Sequence, residues 1–72
     1  MNDFASTSGK RYDETVKVVV NGRAYDVHVE FHGVMSFTGY VIYRGVYLCT
    51  LPEAMSRREL LDVAEARIRE LQ

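Results

Sequence analysis

The sequence has no tryptophan, a single proline and a single cysteine among its 72 residues. One cysteine, Cys49, excludes an intrachain disulfide, the usual staple of small secreted domains. A domain of this size buries only about 60% of the surface of its unfolded chain, so small scaffolds commonly need a disulfide, a metal or an oligomer. We therefore expect tight packing or self-association to stabilise the fold.

A strong excess of charge of either sign is also lacking, since nine basic residues face ten acidic ones. No overall basic field exists to recruit nucleic acid or an anionic membrane. No run approaches the roughly 18 apolar residues of a membrane span, and the N-terminal residues lack the apolar segment of a secretory signal. We expect no membrane partner and a cytoplasmic location, as for a small bacterial or phage-encoded regulator.

The clearest structural signal is Asn21-Gly22 between two runs of alternating apolar residues. This dipeptide favours a two-residue type I′ hairpin turn, because both central positions need positive φ. The turn sets the register: Val16 opposes Val27 on an apolar face, and Lys17 opposes Asp26 on the other face. Further from the turn the same register sets Asp13 against Glu30, so we expect the pairing to fray there.

The rest of the chain predicts two more strands and a helix. The predicted strands cover residues 14–20, 23–31, 37–43 and 46–50, with a loop at 32–36. Pro52 is predicted to end the fourth strand, since proline cannot join a central ladder. Ser56 and Glu59 form a capping box, and a helical stripe follows it. The stripe consists of Leu60, Ala64, Ile68 and Leu71.

This element order predicts an α+β domain at 13–72, in which one helix packs on one face of a four-stranded antiparallel sheet of order 1-2-3-4. Residues 1–12, rich in Ser, Thr, Gly and Asp, are predicted to be a disordered tail. The predicted core comprises Val16, Val18, Tyr25, Val27, Val29, Phe31, Val41, Leu48, Leu60, Ala64, Ile68 and Leu71. Whether Val41 and Leu48 or Ile42 and Cys49 point inward is left open.

The second predicted hairpin, across Arg44-Gly45, is apolar or aromatic on both faces. One helix cannot cover both faces of the sheet, so one aromatic set stays exposed unless another chain covers it. We take Tyr40, Tyr43 and Tyr47 as candidate partner-binding residues. Three interpretations stay open: tyrosines at the sheet margin that contact nothing, burial in a homo-oligomer, and binding of another protein, a ligand or nucleic acid.

Arg57 and Arg58 lie in the first turn of the predicted helix. Cations oppose the macrodipole there, but two arginines beside free helical N–H groups suit a phosphate or carboxylate, so they are candidate anion-binding residues. The alternative is a solvated surface pair in which Arg58 reaches Asp62.

No pattern indicates catalysis, a metal or a cofactor. His28 and His32 share a strand face but lie roughly 13 Å apart at strand rise, too far to chelate one ion. Cys49 is expected to be a small buried hydrophobic residue without a catalytic base. The glycines do not form a phosphate-binding loop.

By element order alone, four antiparallel strands followed by a helix resemble the repeat of Pur-type and Whirly-type single-strand nucleic-acid-binding proteins. The resemblance implies base stacking on Tyr40, Tyr43 and Tyr47. It extends to no sequence motif of those families. The favoured hypothesis is a non-enzymatic, self-associating interaction module, with itself or another protein as partner. The alternative is a nucleic-acid-binding module in which basic residues meet phosphates. Those residues are Lys10, Arg11, Arg44, Arg57 and Arg58.

Overall fold

The computed structural model describes residues 12–72, which form one antiparallel sheet and one helix. The elements are β1 (Tyr12–Val20), β2 (Arg23–Gly33), β3 (Ser36–Tyr43), β4 (Val46–Ala54) and α1 (Arg57–Leu71). The strand order is β1-β2-β3-β4, and α1 packs on one face, which confirms the predicted α+β fold. The tail predicted at 1–12 lies outside the described residues except for Tyr12, where β1 begins.

The first hairpin has the predicted turn and register. Asn21 has φ of 52° and Gly22 of 79°, as a type I′ turn requires. Val16 pairs with Val27 as predicted, and the ladder continues without a register shift along β1. This local signal therefore set the alignment of half the sheet.

The predicted fraying of this hairpin is wrong. Asp13 pairs with Glu30, and the ladder runs one step further, to Tyr12 opposite Phe31. The imidazole of His28 lies beside both carboxylates, so the two like charges are not alone at this position.

The connection between β2 and β3 is shorter than the predicted loop at 32–36. β2 continues to Gly33, and only Val34 and Met35 form the turn before β3 begins at Ser36. His32 is the extra residue of a β-bulge, which lets the strand continue through a segment with no regular alternation.

Pro52 does not end β4, contrary to the prediction. Phe37 pairs with Ala54 and Gly39 with Leu51, so two residues of β4 lie opposite one of β3. The proline lies inside this bulge, on an edge strand, where its missing N–H removes no ladder hydrogen bond that the sheet requires.

A second bulge in β4 settles which side chains of the second hairpin face inward. Ile42 pairs with Tyr47, but Val41 pairs with Cys49, so Leu48 is the extra residue. Val41 is fully buried, and both Leu48 and Cys49 pack against the core. The bulge thus brings two neighbouring residues of one strand toward the helix.

The core lies between α1 and one face of the sheet, here called the helix face. Its buried members are Val20, Tyr25, Val27, Val29, Val41, Leu51, Ala54, Leu60, Ala64 and Ile68. Val16, Val18 and Leu48 pack against it as predicted. Leu71 was predicted to be buried and is 52% exposed. At 3.6 residues per turn the stripe continues to Gln72, which donates to the carbonyl oxygen of Val20 and to the hydroxyl of Tyr25.

The predicted cap is present at the start of α1. The hydroxyl of Ser56 accepts a hydrogen bond from the N–H of Glu59 at 3.0 Å. The Glu59 carboxylate accepts from the N–H of Met55 rather than from that of Ser56, the donor that a regular capping box uses. The exposed pair Glu65–Arg69 also forms, at 2.7 Å.

Candidate functional surface: the sheet face opposite the helix

The sheet surface opposite α1, here called the open face, consists of the residues that alternate with the core positions. The strand register arranges most of them in three rows across the sheet, and the pair Val19–Ala24 lies beyond them, next to the first hairpin turn. The first row is Lys17, Asp26, Ile42 and Tyr47. The second row is Thr15, His28, Tyr40 and Thr50. The third row is Asp13, Glu30 and Thr38.

Three neighbouring rings form an aromatic strip on the open face, consisting of His28, Tyr40 and Tyr47. The ring centroids of His28 and Tyr40 are 4.8 Å apart with an angle of 27° between the ring planes, and those of Tyr40 and Tyr47 are 5.9 Å apart with an angle of 37°. Tyr47 is 57% exposed, and its hydroxyl hydrogen-bonds to Thr50. The strip crosses three adjacent strands, so it offers a continuous apolar surface with wet polar edges.

Tyr43 does not join this strip. It lies on the helix face, where its ring centroid is 4.7 Å from that of Tyr25. The guanidinium carbon of Arg44 lies 5.6 Å from the Tyr43 ring centroid, a cation–π contact at the hairpin turn. Of the three candidate tyrosines, the fold therefore brings Tyr40 and Tyr47 together and separates Tyr43 from them.

The third row and the second row meet in a cluster of acidic and imidazole groups. His28 Nε2 lies 3.9 Å from Asp13 Oδ2 and 3.5 Å from Glu30 Oε2. His32 Nε2 lies 3.5 Å from Glu30 Oε1 and 2.6 Å from the Thr38 hydroxyl. Both histidines therefore contact the carboxylate of Glu30, each at a different oxygen, and do not converge on a single point.

Sequence reasoning treated these residues separately and missed the cluster. The signal was nevertheless in the predicted register, which placed Asp13 opposite Glu30, with His28 two residues away on the same face. What it could not supply was the side-chain directions that aim the imidazole at both carboxylates.

The two candidate anion-binding arginines lie at the start of α1, away from the open face. Arg57 contacts Glu14 of β1, with its Nη2 2.6 Å and its Nε 3.2 Å from the same carboxylate oxygen. An added anion would therefore compete with that carboxylate. Arg58 makes no ion pair within residues 12–72, so the alternative pairing with Asp62 is not formed there.

Cys49, which was expected to be a small buried hydrophobic residue, is half-buried against the core. The part of the chain that the structure describes contains no pocket. Its one helix is too short and too polar to cross a bilayer.

Comparisons with protein-family models, with curated proteins and with solved structures found no match to the chain.

Proposed function

We propose that this chain is a non-enzymatic protein-interaction module that forms a homodimer through the aromatic half of its open face. The observation that carries the proposal is the uncovered pair Tyr40 and Tyr47, with Ile42 beside them. These three side chains lie on β3 and β4, on the face that α1 leaves without a partner.

The distribution of polarity over the open face suits an interface. Protein interfaces have an apolar, aromatic centre and a polar rim. Here the β3–β4 half carries Ile42 and two tyrosines, whereas the β1–β2 half carries charges such as the Lys17–Asp26 ion pair at 2.8 Å. A second copy packed on the aromatic half leaves those charges at the edge, where water still solvates them.

A second copy is also the partner that the patch itself can complement. A two-fold interface joins the same patch on both subunits, so an apolar strip meets an apolar strip. Two sheets pack face to face about 10 Å apart, with inward side chains interdigitating. A dimer would also bury more apolar surface and so add stabilisation that a single small core lacks.

Nucleic acid binding remains the alternative to be tested against this proposal. The aromatic rings of the strip suit base stacking, but most charges near the strip are negative and disfavour binding of a polyanion. Asp13, Asp26 and Glu30 lie on the open face, where Lys17 is the one lysine or arginine within the described residues. Arg57 and Arg58 start the helix on the opposite side of the sheet.

The test is sedimentation equilibrium over a concentration series at two salt concentrations, about 50 and 200 mM. We expect a dimer whose dissociation constant changes little with salt. The double variant Tyr40→Ser/Tyr47→Ser should weaken it by at least about tenfold, because aromatic residues at an interface centre carry most of the binding energy.

The matched control is Leu71→Ser, which removes an exposed apolar side chain from the helix end and should leave the dimer intact. A protein that stays monomeric throughout the series contradicts self-association. A dimer unaffected by the double variant contradicts the assigned face. Oligonucleotide binding that weakens steeply between the two salt concentrations, in a monomeric protein, favours the nucleic acid alternative.

A further inference from the structure

A second feature of the open face lies across β1 and β2, beside the aromatic strip, with which it shares His28. Asp13, His28 and Glu30 each aim one ligand atom at a common space, and these atoms lie within 4.8 Å of one another. Within the described residues this is the one such group of three. We propose that Asp13, His28 and Glu30 bind a divalent transition metal ion of the Zn²⁺ type.

The two carboxylates of the group lie where a sheet disfavours them. Asp13 and Glu30 are directly paired across β1 and β2, and like charges at paired positions repel. The nearby cations are engaged elsewhere: Lys17 pairs with Asp26, and Arg57 with Glu14. Within residues 12–72, the ion-pair partners of these two carboxylates are imidazoles. A bound cation at this point would replace the repulsion with attraction.

The imidazole of His28 is already held in a ligating orientation. Its ring stacks on that of Tyr40, at a centroid distance of 4.8 Å and an interplanar angle of 27°, and its Nε2 faces both carboxylates. His32 approaches the second oxygen of Glu30 and hydrogen-bonds to Thr38, so it acts as a positioning residue for that carboxylate. Such outer contacts orient ligands and reduce the reorganisation that binding requires.

The two distances from the imidazole to the carboxylates fit a small ion with modest adjustment. Zn²⁺ bonds to imidazole nitrogen and carboxylate oxygen at about 2.0–2.2 Å, so its tetrahedral ligand atoms lie about 3.4 Å apart. The distance from His28 Nε2 to Glu30 Oε2 is 3.5 Å, and that to Asp13 Oδ2 is 3.9 Å. The aspartate is 59% exposed, so its side chain can rotate to close the remaining gap, and water can fill the fourth position.

The donor set also selects among ions. One imidazole with two carboxylates suits Zn²⁺ and its neighbours in the transition series, whereas Mg²⁺ and Ca²⁺ prefer ligand shells of oxygen alone. The site therefore differs from an acidic surface that attracts any divalent cation. Because it joins β1 to β2, a bound ion would also hold the open end of the first hairpin together.

The experiment is isothermal titration calorimetry of ZnCl₂ and, separately, MgCl₂ into the full untagged chain. We expect one Zn²⁺ per chain and no comparable Mg²⁺ binding. His28→Gln and Asp13→Asn should each weaken Zn²⁺ binding at least about tenfold, as loss of a ligand does. Asp26→Asn is the matched control, since it removes a carboxylate from the same face but outside the cluster.

Two further readouts locate the ion. Cys49→Ser should keep the affinity, which separates the site from thiolate binding, and Zn²⁺ should shift the ¹⁵N resonance of His28 Nε2. Thermal unfolding followed by circular dichroism should show a higher Tm with Zn²⁺ in the wild type and no shift in His28→Gln. Unchanged affinity in His28→Gln, loss of binding in Cys49→Ser, or equal binding of Mg²⁺ would overturn the proposal.

Discussion

The two faces of this sheet alternate residue by residue along the same strands, yet they have different properties. On the helix face, Val27, Val29 and Val41 are fully buried against α1. Between them, His28 and Tyr40 lie half-covered on the open face with the charged residues of the third row. Burial explains the apolar identity of the helix face. It does not explain the rings and carboxylates of the open face, which is why we assign function there.

The largest expected effect on the contrast between the two faces comes from a substitution at Gly39. This residue lies on the helix face, close to the backbone of β2. A Cβ at this position would lie 2.2 Å from the carbonyl oxygen of His28 and 3.3 Å from Leu60 Cδ2. Because the nearest atom is backbone, Gly39→Val should cost at least about 3 kcal/mol in the free energy of unfolding.

Urea denaturation followed by circular dichroism measures this cost. Ala24→Val is the matched control, since the same side chain enlarges an exposed strand position and should change stability by less than about 0.5 kcal/mol. Equal stability of the two variants would contradict the close approach of the β2 backbone to Gly39.

Two leucines of α1 give the next largest contrast. Leu60 is fully buried, and Leu71 is 52% exposed. Leu60→Ala should lower the free energy of unfolding by about 2–5 kcal/mol, through lost burial and a cavity. Leu71→Ala should change it by less than about 0.5 kcal/mol. Thermal or urea unfolding of both variants decides this, and comparable losses would mean that the last turn of α1 packs more deeply than described.

The smallest effect concerns two aspartates of the open face, and its sign matters more than its size. With a chelator present, Asp13→Asn should raise stability by a few tenths of a kcal/mol. The reason is relief of repulsion from Glu30. Asp26→Asn should lower it by a similar amount, because it breaks the exposed ion pair with Lys17.

Unfolding measured at low and high salt tests this pair of variants. Both effects should shrink as salt screens them. If Asp13→Asn is destabilising under these conditions, the aspartate contributes to the fold, and the case that it is held there for a cation weakens.

Features that depend on neighbouring residues along the chain were predicted from the sequence, whereas features that depend on contacts between distant segments were not. Asn21-Gly22 determined its hairpin because both turn positions need a backbone that few residues adopt, and neighbours along the chain suffice to specify it. The bulges at Leu48 and Pro52 escaped prediction, because they depend on how an edge strand fits against β3 and α1. Leu71 was wrongly predicted to be buried for a related reason. Gln72, not Leu71, continues the stripe of α1 and contacts the sheet at Val20 and Tyr25.

The candidate site divides in the same way. Alternation along β3 and β4 puts Tyr40 and Tyr47 on one face and Tyr43 on the other, although all three were taken together as candidate partner-binding residues. By itself the sequence determined the strand order, the first register and the existence of a spare face, because alternation and turn chemistry act over a few residues. Only the tertiary structure decided which side chains of the second hairpin face α1 and that the His28 imidazole meets both Asp13 and Glu30, because side-chain directions follow from packing between distant segments.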